Sequence, residues 1–277
     1  MIQYSVILPW HRDDELLQRA KQSVPERDDV ELLAIRDKER RGAGYARNQA
    51  LALARGKWLL FLDSDDFFVP DVLKILDRHS EDEADVVYFG RRAVMSDDTS
   101  KPSTRVDEIS RLMAKYQSNP ADLEFFCRYC FPEPTGKMVR REMVEREGIR
   151  FDETSCANDY MFSVRCGLSA RTVAYDPEVL YTVTEREGSV SHDYFDTPSR
   201  QQDRLDVYWR VQQLFSRNSI HLFPFCGMWM MSMKKGHQAR RIAEDFRRSR
   251  GIPRLQIAAG CLRRIIRKRL HRGVPFK

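Results

Sequence analysis

No stretch of this 277-residue chain approaches the roughly eighteen consecutive apolar residues that a membrane-spanning helix needs, which excludes a helical span. The opening MIQYSVILPW has neither a basic leading segment nor a long apolar core, so it does not read as a secretory leader. Cysteine is sparse: six residues scattered through the chain give no disulfide framework and fit a reducing compartment. The expected location is therefore cytoplasmic. There is no internal repeat and no low-complexity tract, which excludes solenoids and disordered linkers. What is present is ample: 42% apolar residues supply a sizeable core, and 32% charged residues are many without suggesting disorder. The length suits one large α/β domain plus an appendage.

The net charge of +6 hides an asymmetry. From Lys234 to Lys277 there are fifteen Lys and Arg against Glu244 and Asp245, an excess of thirteen positive charges. The rest of the chain therefore carries −7, and the basic tail calls for its own explanation.

Along the chain, SVIL (Ser5 to Leu8), closed by Pro9, reads as a buried strand, and Leu16, Leu17, Ala20 and Val24 then recur at helical spacing. VELLAI (Val30 to Ile35) is the second strand, Ala46 to Ala54 a helix ended by Gly56 as its C′ residue, and KWLLFL the third strand. Pro70 is expected at the first position of the next helix, and ADVVYFG is the fourth strand. Helices are expected near Asp107–Tyr116, Ala121–Tyr129 and Asp159–Leu168, and past Thr197 the pattern is helical. This rhythm predicts a doubly wound α/β sheet, whose ligands bind beyond the carboxyl ends of the strands. Pro9, Asp37 and Asp63 all stand just past such ends.

The third strand runs into Asp63, Asp65 and Asp66. Three carboxylates at a strand end repel one another unless a cation sits among them. Mg²⁺ or Mn²⁺ takes such oxygen ligands and shares them with phosphates. The bland alternative is that Asp63 to Asp66 caps a helix after Phe67.

Three segments, SVILPWHRDDELLQRAKQSV, VELLAIRD and GAGYARNQALALARGKWLLFLDSDD, together resemble the N-terminal half of family 2 glycosyltransferases. KMVRREMVEREGIRFDE, NDYMF and LYTVTEREGSVSH resemble later elements of the bacterial members, so the likeness spans about residues 3 to 192. The resemblance implies the GT-A fold: a Rossmann-like, mostly parallel sheet flanked by helices, over residues 1–195. Its donor half would cover about 1–95 and its acceptor half about 96–195, with a helical extension at 196–277. It further implies metal-dependent, inverting transfer of the hexosyltransferase class, from a nucleotide-diphosphate sugar, with UDP the expected nucleotide, to a hydroxyl. On matching positions, Asp159 is the general base, Asp63 holds the ribose, Asp65 holds Mn²⁺ or Mg²⁺, and Pro9 and Asp37 line the nucleotide. Arg47 either lies near the diphosphate or forms an ion pair with the acid cluster. His192 either reaches the metal or is a surface histidine in a turn. Asn158 and Asp159 could also merely cap their helix. Two departures stand out. Arg36-Asp37-Lys38-Glu39 replaces the Asp-Asp-Gly-Ser of many relatives, and Asn158 stands where a Glu is usual.

Cys127 and Cys130 form a CxxC, but Cys156 and Cys166 are too widely spaced for the second pair a structural zinc wants. In the tail, Leu255, Ala258, Ala259, Leu262, Ile265, Ile266 and Leu270 fall on one helical face, with Arg263, Arg264, Arg267 and Lys268 largely on the other. That pattern suits an anionic membrane surface, and hence a peripheral position on the inner face of the cytoplasmic membrane. The alternative is a helix packed on its own domain. Nucleic acid is disfavoured by the acidic body and by the lack of interleaved aromatics. A membrane-seeking tail and the family together point to a cell-envelope acceptor, a glycan or lipid-linked intermediate of lipopolysaccharide, capsule or O-antigen type. Two other classes compete. A sugar-nucleotide pyrophosphorylase would want a Gly-rich loop where Pro9-Trp10-His11-Arg12 stands. A non-catalytic membrane-surface binding module would not need Asp63, Asp65 and Asp159.

Overall fold

The computed structural model describes residues 1–103, 107–185 and 197–270. In chain order its elements are β1 (Tyr4–Trp10), α1 (Glu15–Gln22), β2 (Val30–Arg36), α2 (Ala43–Leu53), β3 (Trp58–Phe61), β4 (Phe67–Phe68), α3 (Val72–Asp77) and β5 (Val86–Met95). There follow α4 (Asp107–Tyr116), α5 (Pro120–Cys130), β6 (Lys137–Arg140), α6 (Arg141–Arg146), α7 (Tyr160–Ser169) and β7 (Val173–Glu185). The last four are helices: α8 (Pro198–Arg217), α9 (Pro224–Lys235), α10 (His237–Ser249) and α11 (Arg254–Leu270). Two compact units result, one of Met1–Glu153 with Asn158–Glu187, the other of Thr154–Ala157 with Gly188–Lys277.

The first unit is built on a seven-stranded sheet in the order β2-β1-β3-β6-β5-β7-β4. β1 pairs in parallel with β2 and β3, and β5 with β7, while β6 runs antiparallel between β3 and β5 and β4 antiparallel to β7. Side chains alternate between two cores, as the two-residue period of a strand requires. Tyr4, Val6 and Leu8 of β1 join Trp58 and Leu60 of β3 on one face, with Leu17 and Ala20 of α1. Ile7, Leu59 and Phe61 face the other way, against Ala50, Leu51, Phe151 and Phe162. Burial on both faces is why these strands read as unbroken apolar runs.

Local chemistry sets the ends of the elements. Asp14 caps α1 by accepting the Leu17 N–H at 3.1 Å. Gly42 takes a φ of 99° at the start of α2, a backbone region that costs glycine little. Gly56 does not serve as a left-handed C′ residue: the helix closes at Ala54, and a Cβ on Gly56 would lie 2.6 Å from the Ser5 nitrogen. The glycine is needed for close approach to β1. Pro9 lies inside β1, paired with Ile35, and Pro70 precedes α3 by two residues instead of opening it.

Gly44 carries the tightest approach: a Cβ there would meet the Asp152 carbonyl oxygen at 2.0 Å and Asn158 Cβ at 3.0 Å. Gly44→Ala is expected to destabilise the fold by about 1–3 kcal/mol through overpacking against backbone, seen as a lower urea midpoint with unchanged slope.

In the second unit Leu205, Phe225, Met228, Trp229, Ala243 and Ile257 form the core. α11 packs through Ile257, Gly260 and Arg264, which are buried, while Leu255, Ala258, Ala259, Leu262 and Ile265 face solvent. The sequence-based placement of Arg264 among the outward charges is thereby corrected. Its guanidinium lies over Gly227 of α9, and Gly260 sits on Cys226, so two glycines let the helices cross closely.

Candidate active site

The turn after β3 is held from several sides. The Asp66 N–H donates to the Asp63 carbonyl at 3.1 Å, closing a tight turn over the acidic residues. Asp66 is buried and accepts from Tyr181 Oη at 2.8 Å and from the Thr184 N–H at 2.7 Å. Burial, then the neighbouring Asp65 and Asp63, push Asp66 well above the usual carboxylate range. The Asp65 carbonyl accepts from Arg19 and Thr184, and the Asp63 N–H donates to Tyr181 Oη. The turn leads into β4, paired with β7, so these acids do not cap a helix. Asp66, one of the three strand-end acids but given no role of its own by the sequence, is the one whose carboxylate is spent on fastening the turn to β7.

Asp63 forms an ion pair with Arg47 at 2.6 Å; the arginine side chain is 5% exposed and the aspartate 38%. Of the two sequence readings of Arg47, the structure shows the ion pair. A second guanidinium nitrogen donates to Asn158 Oδ1 at 2.9 Å, and the group lies 5.2 Å over the Phe151 ring. Arg47 thus ties the carboxylate turn to the segment that starts α7.

Asp159 occupies the N-cap position of α7 but makes no side-chain capping hydrogen bond there. Burial pushes its carboxyl up to about 6, with Arg47 pulling down and Glu133 and Asp63 pushing further up. A partly buried carboxyl whose pKa burial raises, beside a strand-end acid turn, is the pattern expected of a proton acceptor. Asp37 follows β2, and its two oxygens accept the N–H groups of Arg41 at 2.9 Å and Gly42 at 2.7 Å. Each oxygen keeps lone-pair capacity for a ligand. Pro9 is buried at the end of β1, where the Trp10 carbonyl accepts the Asp37 N–H at 2.7 Å. His192 lies outside the described residues.

Among the described residues, no three His, Cys, Asp or Glu side chains converge as a metal cage. The donor set still suits a hard cation: Asp63 and Asp65 offer only oxygen, and Mg²⁺ or Mn²⁺ takes one or two carboxylates plus substrate oxygens. Cys127 and Cys166 are buried thiols pushed up to about 12, so neither is a ready thiolate. Lys137 is fully enclosed, its ammonium donating to the Phe131 carbonyl at 2.6 Å, and burial lowers it to about 8.

A helix-flanked α/β sheet with this strand order and an acid turn after a central strand is the GT-A arrangement. The same fold is found in S. aureus TarS 1–349 in complex with UDP-GlcNAc, at a TM-score of 0.67 and 18% identity over 99% of this chain and 88% of that one. It recurs in the mannosyltransferase PcManGT from Pyrobaculum calidifontis in complex with GDP-Man and Mn²⁺, at 0.52 and 15% over 97% and 87%. The chain belongs to glycosyl transferase family 2, whose family model matches residues 11–170. It is 32% identical to EpsH of Bacillus subtilis, named as a glycosyltransferase, over 52% of this chain and 42% of that protein. It is 30% identical to the succinoglycan biosynthesis protein ExoO of Rhizobium meliloti over 58% and 47%. The chain thus spans about half the length of the curated relatives it matches.

Proposed function

We propose that this chain transfers a sugar, with inversion, from a nucleotide-diphosphate sugar to a hydroxyl of a cell-envelope glycan or lipid-linked acceptor. The single observation that carries the reading is the Arg47 bridge: one buried guanidinium joins Asp63, on the acid turn, to Asn158, beside the uncapped Asp159. Donor-side and acceptor-side groups are brought into one electrostatic cluster. Asp63 and Asp37 would bind ribose and base, with Pro9 shaping the wall. Asp159 takes the proton from the acceptor hydroxyl as the new bond forms, and the leaving nucleotide departs on the opposite side. Asp65 would hold a divalent cation, which supplies charge neutralisation at the diphosphate. The catalytic domain is taken as residues 1–195, and a UDP-linked donor is the first to try, in view of the TarS complex with UDP-GlcNAc. Screening nucleotide diphosphate sugars by thermal shift in Mn²⁺ tests the reading, because a ligand bound to the folded state raises the midpoint. If no donor shifts the midpoint and none is hydrolysed, the assignment fails.

The pH profile is a second check. A base works only when ionised, so kcat/KM should rise with pH through an acid limb near 6. Arg47→Gln removes the charge that favours the Asp159 carboxylate, and the limb should move to higher pH. A limb that stays in place would detach Arg47 from the base.

No helix among the described residues is long and apolar enough to cross a membrane. The exposed row Leu255, Ala258, Ala259, Leu262 and Ile265, beside Arg263, supports a peripheral position on the anionic inner face of the cytoplasmic membrane. This apolar row is not spent on packing the chain's own core.

A further inference from the structure

α9, α10 and α11 form an open cavity of about 380 Å³ lined by Trp229, Met230, Met233, Ile257, Ala258 and Cys261. Its wall is apolar almost throughout, a poor match to a nucleotide or a sugar, whose many hydroxyls and phosphates need partners. Methionine side chains adapt to irregular and flexible chains, which suits a hydrocarbon. The charges stand at its edge: Lys234, Arg254 and Glu244. Glu244 is already engaged, by Arg247 at 3.0 Å and Arg254 at 3.4 Å. Lys234 is exposed and forms no ion pair with any described residue, so the edge carries net positive charge.

The cavity and the exposed row of α11 share a residue. Ala258 lines the cavity and also stands in the row, three residues after Leu255 and four before Leu262, on the same helical face. A helix lying on a bilayer along that row would set this edge of the cavity against lipid. Leu255 is 80% exposed and Leu262 59%, which are large values for leucine in a packed helix.

We propose that this cavity is a lipid-chain site, taking one hydrocarbon tail of an anionic membrane lipid while Lys234 and Arg254 hold its phosphate. The proposal rests on the membrane-surface reading of α11, and two measurements on the 277-residue chain keep them separable. The first uses monomeric decyl phosphate, titrated by calorimetry and by Trp229 fluorescence. Saturable one-to-one binding is expected. Ala258→Phe, which adds bulk at an exposed position of α11, should weaken it at least tenfold. Lys234→Ala should weaken decyl phosphate but leave decanol unchanged. Trp229→Phe should abolish the fluorescence response while calorimetry still reports heat. The second is sedimentation with phosphatidylglycerol vesicles at low and high salt. Sedimentation without decyl phosphate binding, or binding that Ala258→Phe leaves intact, overturns the cavity assignment and spares the surface reading. Decyl phosphate binding without sedimentation overturns the surface reading, and with it the membrane as the source of the tail.

Discussion

Asp159→Asn should lower sugar transfer by roughly 10²-fold or more while donor affinity stays near that of the parent, the scale on which a general base contributes. The same variant should be more stable at neutral pH. With a folded-state pKa of about 6 against an ordinary value of 3.8, the ionised carboxylate is disfavoured in the native state. The sign follows from linkage: the native state holds its proton to higher pH than the unfolded chain does. Stability from this group is therefore full below about pH 4 and is lost as pH rises through 6. At pH 7 the loss amounts to roughly 2–3 kcal/mol, which asparagine avoids. A residue that merely capped α7 would show no such gain, since asparagine caps a helix as well as aspartate does, and would cost about 1 kcal/mol only on replacement by alanine. Urea unfolding at pH 4 and pH 7, run beside the kinetics, separates the two. If Asp159→Asn loses binding and turnover equally and is no more stable than the parent at pH 7, Asp159 is not the base.

The second large effect is expected at Asp65. Asp65→Ala should remove Mn²⁺-dependent binding of the nucleotide diphosphate below detection in calorimetry, with little change in melting temperature. The backbone of this residue is fixed independently of its side chain, since its carbonyl is held by Arg19 at 3.0 Å and Thr184 at 2.6 Å. Asp66→Ala makes the contrast. It leaves Tyr181 Oη and the Thr184 N–H without their buried acceptor, a loss of about 1–3 kcal/mol. Undiminished Mn²⁺-dependent binding by Asp65→Ala would sink the metal assignment, and an equal loss of stability in both variants would show a purely structural turn.

The strand rhythm and the acid turn were legible because each rests on local rules: apolar runs of strand length, apolar residues at helical spacing between them, and carboxylates placed where a strand ends. What was not legible rests on long-range packing. The direction of β6 cannot be read from KMVR, because alternation marks a strand without its polarity. Gly56 looked like a helix terminator, yet its constraint comes from Ser5, fifty-one residues earlier. Lys137, a cation that burial would not be expected to hold, is enclosed by Phe131 and Tyr88. In α11, hydrophobicity alone favours the leucine row as the inner one. The structure buries the stripe of Ile257, Gly260 and Arg264, because small residues at the crossing allow the closer approach. Arg47 was seen as a candidate with two partners in view, but its link to Asn158 joins residues 111 apart and has no local signature.

The guanidinium of Arg47 has one further consequence, which concerns protons and not sugar. It neutralises Asp63 directly and Asp159 at longer range, so the two acids compete for one positive charge. Any ligand that engages Asp63 or draws Arg47 toward its own phosphates changes how firmly Asp159 holds its proton. Thermodynamic reciprocity then requires the converse: donor affinity must itself vary with pH around 6, by the same factor. The enzyme would take up or release a fraction of a proton each time a donor arrives, measurable as a buffer-dependent heat of binding. A guanidinium shared in this way would let the acceptor side register the arrival of a donor without any movement of the backbone.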